Sequence, residues 1–450
     1  MTNNTESLAH FVTKLEYDSI PKEALDRAKR HILDIIGVAL AGSQQKVGLL
    51  ATRFVQKTGG TSDCTVWGTP LRSSAPQAAF ANGVSAHALD YDDRWLPPAH
   101  PTCVTFPATL AVAEANRVSG RSLFVAQSAG YEIMGKLHLF AASTLPRKGS
   151  HPTSIFGAFG ATASAGKLLG LDLSQLQIAF GIAASEASGI SANMGTMAKP
   201  FHAGHGARNG VVAAMLAADG FSANPNVFDG AFFETFYGTY PPNDWQFTMS
   251  LGNPYHIVNP GIGMKLYPSD GHLTFTFESA LNAVTEHAIA PSDVASVEVQ
   301  VPYKGNFDRP SLSTGLEGKF SYQYHVALAV LDRTATIESF QDERALAQDI
   351  REFMKKVTVR VDPSLPANRD FMYHRVKIRL RDGREVTGAE RLPRGHWRYP
   401  LQRAEYEGKF RENAARVLQK QNVEKIIEIV NRLEDLPDVR VLTDALKLSD

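Results

Sequence analysis

The chain has 450 residues, about three times a typical ~150-residue domain, and its 46 Lys plus Arg balance 46 Asp plus Glu at a formal net charge of zero, which argues against a basic nucleic-acid coat and an acidic tail protein. Hydrophobic residues make up 44% and charged residues 20%, the mixture of a folded chain with a sizeable core rather than a disordered one. Two cysteines, Cys64 and Cys103, exclude a disulfide framework and a cysteine-rich zinc site and fit a reducing compartment.

The opening Met1–Glu6 is polar, and the apolar run Ile32–Leu40 contains Asp34 and falls far short of the ~20 residues that a membrane helix needs. The expectation is a cytoplasmic protein with no targeting segment and no membrane or nucleic-acid partner. Pro21 opens a helical pattern of Leu25, Ala28, Ile32, Ile35, Ile36 and Ala39 that Gly42 closes. Residues 76–89, 107–117, 154–169 and 207–218 read the same way. Their Ala and Gly content predicts close helix–helix approach. After about Gly261 the pattern changes. Residues 294–301 and 357–361 alternate at period two, and 376–380 and 385–387 flank the hairpin signal Asp382-Gly383. Helical patterns lie between them at 273–288, 324–332 and 342–354, and helix returns at 406–418 and 423–433. The predicted fold is mainly α: an all-helical domain of residues 1–262 and 398–450, with an inserted α+β lid of residues 263–397.

Five segments carry chemistry-bearing residues. Residues 87–101, H-A-L-D-Y-D-D-R-W-L-P-P-A-H-P, put Asp90, Asp92, Asp93, Arg94, His87 and His100 at a helix end, in a loop stiffened by Pro97, Pro98 and Pro101. Residues 148–157, K-G-S-H-P-T-S-I-F-G, put His151 at the mouth of a helix, where an imidazole tends to stay neutral. Residues 197–210, M-A-K-P-F-H-A-G-H-G-A-R-N-G, put Lys199 before a proline in expected extended backbone. Gly204 and Gly206 are then expected to precede a helix with N–H groups open to an anion. His202 and His205 there read as ordinary core or surface histidines. Residues 263–275, G-M-K-L-Y-P-S-D-G-H-L-T-F, add Lys265, Ser269 and His272 as a second anion-site composition. Tyr324, in F-S-Y-Q-Y-H at 320–325, offers a phenolic proton.

Cations (Lys199, Lys265, Arg94) together with proton carriers (His100, His151, Asp90, Tyr324) suit a small di- or tricarboxylate undergoing proton transfer at carbon. Charge developing next to a carboxylate needs fixed cations in a dry site and an acid and base tuned towards neutrality. No P-loop, G-x-G-x-x-G, G-x-S-x-G or H-E-x-x-H is present. Two other classes stay open on the residues alone. One is a metal-dependent hydrolase with Asp90, Asp92, Asp93 and His100 as ligands, and the other is a non-catalytic organic-acid binding protein.

The D-Y-D-D-x-W…H-P, S-H-P, A-K-P-x-H-x-G and K-x-Y-P-S-x-G-H blocks, in this order, resemble the MmgE/PrpD family of 2-methylcitrate dehydratases, cis-aconitate decarboxylases and iminodisuccinate epimerases. The resemblance runs from the Ala24 helix to the Pro400 region. It implies a helical domain and a smaller lid with the active site between them, a homodimer, and no cofactor or metal. It implies a lyase or isomerase acting on a small di- or tricarboxylic acid, with an amino-dicarboxylate epimerase as the alternative. By position, Asp90, His100, His151, Lys199, Lys265 and Tyr324 match pocket residues of the decarboxylase branch, and Arg94 stands where that branch has a threonine. On this reading His100 and His151 move protons, Asp90 orients one imidazole, Tyr324 is a reserve donor, and Lys199, Lys265, Arg94 and His272 bind substrate.

Overall fold

A computed structural model describes residues 3–95, 98–145, 149–239 and 250–448; Pro97 and Lys148, named above, lie outside the described residues. The chain forms two compact units, and the first takes residues up to Ala88, Asp92–Ile262, and Gln402 onward. Its helices are α1 (Asn4–Lys14), α2 (Lys22–Ser43), α3 (Lys46–Thr58), α4 (Ala75–His87), α5 (Thr102–Ala115), α6 (Gly120–Thr144), α7 (Pro152–Leu168), α8 (Leu173–Glu186), α9 (Ala198–Ala218) and α10 (Ala231–Tyr237). Two short strands, β1 (Cys64–Thr65) and β2 (Arg72–Ser73), pair antiparallel.

The small residues do what their size allows. A Cβ at Gly83 on α4 would lie 2.8 Å from the Cα of Gly204 on α9, and one at Gly204 would lie 2.3 Å from the Phe80 carbonyl oxygen. These two helices therefore pack backbone to backbone. α7 closes on the other side of α9, where a Cβ at Gly210 would meet that of Ala161 at 2.4 Å.

This packing corrects one expectation. Helix α9 begins at Ala198, not at Ala207, so Lys199 is helical rather than extended. Pro200 is tolerated because the first turn of a helix has no intrahelical partners for its N–H groups. Gly204 and Gly206 lie inside the helix, where the ladder uses their N–H groups, and the backbone anion cradle expected there is not formed. Similarly, α5 starts at Thr102 and carries Pro107 within it.

The second unit takes Leu89–Tyr91 and Gly263–Leu401. It contains α11 (Leu273–Glu286), β3 (Val294–Val301), α12 (Gly315–Gly318), α13 (Tyr322–Leu331), α14 (Asp342–Ala345), α15 (Gln348–Met354), β4 (Val357–Val361), β5 (Arg375–Leu380) and β6 (Glu385–Thr387). The sheet order is β4-β3-β5-β6, with β3 parallel to β4 and the other pairs antiparallel. Val297 and Val299 of β3 stand opposite Ile378 and Val376 of β5. These four buried side chains pack with Leu273 and Phe277 of α11 and Val326 of α13 in one core. The 342–354 pattern is two short helices, separated where Ala347 turns extended. At the hairpin, Gly383 takes the φ of +92° that its position requires.

The last helices, α16 (Arg403–Ala414), α17 (Lys420–Asn431) and α18 (Arg440–Ala445), belong to the first unit. Lys409 of α16 forms a buried 2.6 Å ion pair with Asp34 of α2, and a Cβ at Gly37 would lie 2.9 Å from the Phe410 ring. Among the described residues, no helix is long and apolar enough to cross a membrane.

Candidate active site

Four helices of the first unit, α4, α5, α7 and α9, bring four histidines together. His87 is the last residue of α4. His151 is the N-cap of α7, held extended by the following Pro152 at the first helical position. His202 and Lys199 stand in the first turns of α9. His100 lies just before Pro101 and α5, with its N–H donating to the Thr153 hydroxyl at 3.1 Å.

Asp92 joins two of these rings. Its carboxylate lies 2.9 and 3.0 Å from His87 Nδ1, and its Oδ2 lies 3.1 Å from His100 Nδ1. His100 Nδ1 also lies 2.8 Å from the Asp93 carbonyl oxygen. A carbonyl only accepts, so Nδ1 carries a proton, and Nε2 is the ring nitrogen left to exchange one. Burial alone would raise the Asp92 carboxyl, but the two imidazoles hold it well below the usual carboxylate range. The His87 and His100 ring centres are 4.6 Å apart, and His87 stacks with His151 at 6.2 Å and 22°. His151 Nδ1 lies 2.9 Å from His202 Nδ1.

Burial pushes His87 down to about 4, with Lys199 adding to the effect and Asp92 opposing it. Burial also pushes His151 well below the usual imidazole value, reinforced by His87, Lys199, His100 and His202. Behind this cluster, Asp93 pairs with His31 Nδ1 at 2.8 Å and accepts from the Thr102 hydroxyl, which meets the Tyr131 hydroxyl at 2.8 Å. Arg94 is half-buried.

Asp90 and Lys265 meet in the second unit. Lys265 Nζ donates to the Asp90 carboxylate at 2.6 Å and to its carbonyl at 2.7 Å, and both residues are buried. Asp90 adopts a φ of +53°, the left-handed region that Asp tolerates better than most side chains. His272 bonds through Nε2 to the Tyr322 hydroxyl at 2.8 Å and stacks on Tyr303 and Phe307. The Tyr324 hydroxyl donates to the Ser339 carbonyl in the core, and burial pushes this phenol up. Its proton is thus already committed. Ser269 bonds to His325 Nε2 at 3.0 Å.

Within the first unit, the structure therefore gathers His100, His151 and Lys199 around residues that the sequence reading used otherwise. Asp92 is the carboxylate that joins two imidazoles. His202, read as an ordinary core or surface histidine, pairs with His151. The spacing of His87 and Asp92 across a helix end was the available signal for the first; nothing in the sequence marked His202. Among the described residues, His87, Asp92 and His100 offer donor atoms all within 4.8 Å of one another, a set able to hold a metal ion. Two of the four ligands considered for a metal hydrolase, Asp92 and His100, belong to it.

The MmgE/PrpD N-terminal domain model matches residues 6–246 and the MmgE/PrpD C-terminal domain model residues 267–435. The chain belongs to the MmgE/PrpD family. Cis-aconitate decarboxylase of Mus musculus is 34% identical to it, covering 98% of this chain and 93% of that protein. The human protein of the same name is 33% identical over 98% and 94%. The 2-methylcitrate dehydratase of Escherichia coli (strain K12) is 22% identical over 94% and 93%. Like these relatives, the chain is a lyase.

Proposed function

We propose that this lyase decarboxylates cis-aconitate or a close tricarboxylate analogue, without a cofactor, by acid catalysis at carbon. The observation that carries the reading is the imidazole cluster itself, in which His151 Nδ1 lies 2.9 Å from His202 Nδ1 and the His151 ring stacks on His87 at 6.2 Å. Burial and the nearby Lys199 charge push the His151 imidazole well below its usual value. A polyanionic substrate reverses that balance, because negative charge nearby favours the imidazolium. The site thus acquires its acid when the substrate arrives.

The reaction needs one acid. The carbon–carbon bond to the methylene carboxylate breaks and carbon dioxide leaves. Its electron pair forms a new double bond to the central carbon, the old alkene pair moves to the far alkene carbon, and that carbon takes one proton. His151 is proposed as the donor and His100 as the partner that restores its proton. Lys199 and Arg94 are proposed to hold carboxylates, so that charge developing at carbon faces fixed cations. Asp90, Lys265 and Tyr324 are proposed participants on family resemblance, and His272 on the anion-site composition of its segment. A homodimer is proposed on family resemblance and a cytoplasmic location on the sequence reading, and light scattering at twice the chain mass tests the dimer.

The deciding experiment incubates the protein with cis-aconitate, citrate, methylcitrate and iminodisuccinate in heavy water. Carbon dioxide release from cis-aconitate, with one deuterium fixed per turnover, is the expected result. Water loss from methylcitrate, or racemisation of iminodisuccinate, with no carbon dioxide from cis-aconitate would overturn it. His100→Asn and His151→Asn should each abolish turnover in folded protein; near-normal rates in both would remove these residues from the mechanism.

A further inference from the structure

The Asp92 carboxylate serves two imidazoles, but only one of them, His100, has a place in the proposed chemistry. His87 is wholly buried, ends the tightly packed helix α4, and meets Asp92 through Nδ1. Its other nitrogen, Nε2, is buried with no hydrogen-bond partner among the described residues. A helix-core histidine that only filled space would be replaceable by an apolar side chain, because an unsatisfied buried nitrogen is unfavourable. We infer that His87 is a positioning residue, whose Nδ1–H fixes the Asp92 carboxylate so that Asp92, together with the Asp93 carbonyl, holds the His100 imidazole in place with its proton on Nδ1. The inference rests on the lyase reading with His100 as a proton carrier.

Asp92 is buried, so its oxygens need donors. His100 Nδ1 lies between two acceptors, the Asp93 carbonyl at 2.8 Å and Asp92 Oδ2 at 3.1 Å. It cannot fix the rotation of the Asp92 carboxylate alone. His87 Nδ1 lies almost equally far from both Asp92 oxygens, at 2.9 and 3.0 Å, which locks the carboxylate plane.

Around this trio lie Asp93 on the same loop, Cys103 on α5, His151 on α7, Lys199 and His202 on α9, His31 and Asp34 on α2, and Lys409 on α16. His31 pairs with Asp93, and Lys409 pairs with Asp34. Asp92 is the carboxylate shared by the two imidazoles.

The test is a comparison of His87→Asn, His87→Gln and His87→Leu. The Asn amide can donate from the place of Nδ1; the Gln amide reaches the place of Nε2; Leu donates nothing. A positioning role predicts that Asn keeps most of the wild-type kcat. Leu and Gln should lose roughly 10- to 100-fold in kcat, the scale seen when the partner that orients an imidazole is removed, with KM changed less than about twofold, as befits a defect in positioning rather than uniform binding. A space-filling role predicts the reverse order, with Leu and Gln at least as active as Asn, and that result would overturn the inference. If Leu does not fold, nitrogen-15 spectra of histidine-labelled wild-type protein decide instead. His87, assigned by its loss in the Asn variant, should keep a hydrogen-bonded Nδ1–H from pH 5.5 to 8, and an Nε2–H tautomer would refute the assignment. An inactive His100→Asn alongside a fully active His87→Leu would sink this inference and leave the lyase reading standing. An active His100→Asn would remove the reading itself.

Discussion

The Nδ1 atoms of His151 and His202 face each other at 2.9 Å, so one ring donates the single proton between them and the other accepts it. The pair fixes the His151 tautomer and hence which of its nitrogens can deliver a proton. Replacing His202 with Phe keeps the buried bulk and removes the partner. We expect kcat to fall roughly tenfold or more with KM little changed, and His202→Asn, which can both donate and accept, to recover much of it. Stopped-flow or coupled assays of carbon dioxide release check this. Unchanged kcat in the Phe variant would show that His151 needs no partner.

The Lys265–Asp90 pair gives a stability prediction. Both side chains are more than nine-tenths buried. Removing one partner leaves a buried charge uncompensated, at roughly 3–5 kcal/mol, whereas removing both is often near neutral. Lys265→Met should therefore destabilise the protein strongly in urea, and Lys265→Met with Asp90→Asn should recover most of that loss. If the double variant were no more stable than the single one, the pair would not be the reason that Lys265 is buried.

The sequence displayed the fold well where a pattern had one cause. Strand 294–301 alternates because one face lies on a core, and its observed bounds are Val294–Val301. The start of α9 was missed because Lys199-Pro200 reads as an extended dipeptide. At a first helical turn a proline forfeits nothing, and local sequence cannot say which case holds. His100, His151 and Lys199 stood out because each is a polar residue directly before a proline. His202 did not, since its role depends on a neighbour 51 residues earlier in the chain. Asp92 was visible as a carboxylate but not as a bridge, because joining two rings requires the turn at Asp90 and the approach of α4, both tertiary facts.

Helix spacing links packing to catalysis. Gly83 on α4 and Gly204 on α9 touch backbone to backbone, and these helices carry His87, Lys199 and His202. Gly204→Ala should cost roughly 1–3 kcal/mol or more by overpacking, since the nearest atom, the Phe80 carbonyl oxygen at 2.3 Å, is backbone and cannot rotate away. The surviving folded fraction should also lose turnover, because α9 must shift relative to α4. Thermal unfolding and active-site titration measure the two effects separately. A stable, fully active variant would mean that the helices can part without disturbing the imidazoles.

Stability should also depend on pH in a stated direction. Burial pushes His87 and His325 each down to about 4, and pushes His151, His256 and His374 well below the usual imidazole value. The unfolded chain binds protons on these rings below about 6.5, while the folded chain does not. Their contribution is therefore complete above pH 6.5 and is lost as pH falls towards 4; His87 alone accounts for roughly 3 kcal/mol over that span. Asp34, which burial raises to about 6, works the other way: its contribution is present below about 3.8 and is lost as pH rises through 6. The histidines outnumber it, so the melting temperature should hold level from pH 8 to 7 and drop steeply between 6.5 and 4. His256 offers the sharpest variant. Both its ring nitrogens are buried without a hydrogen-bond partner, and its ring packs edge-on to Trp95 at 4.6 Å. His256→Phe keeps an aromatic ring in that place and deletes the titrating group. Calorimetry should show a shallower acid slope and higher stability at pH 5; a slope equal to wild type would mean that His256 is not held neutral by its burial.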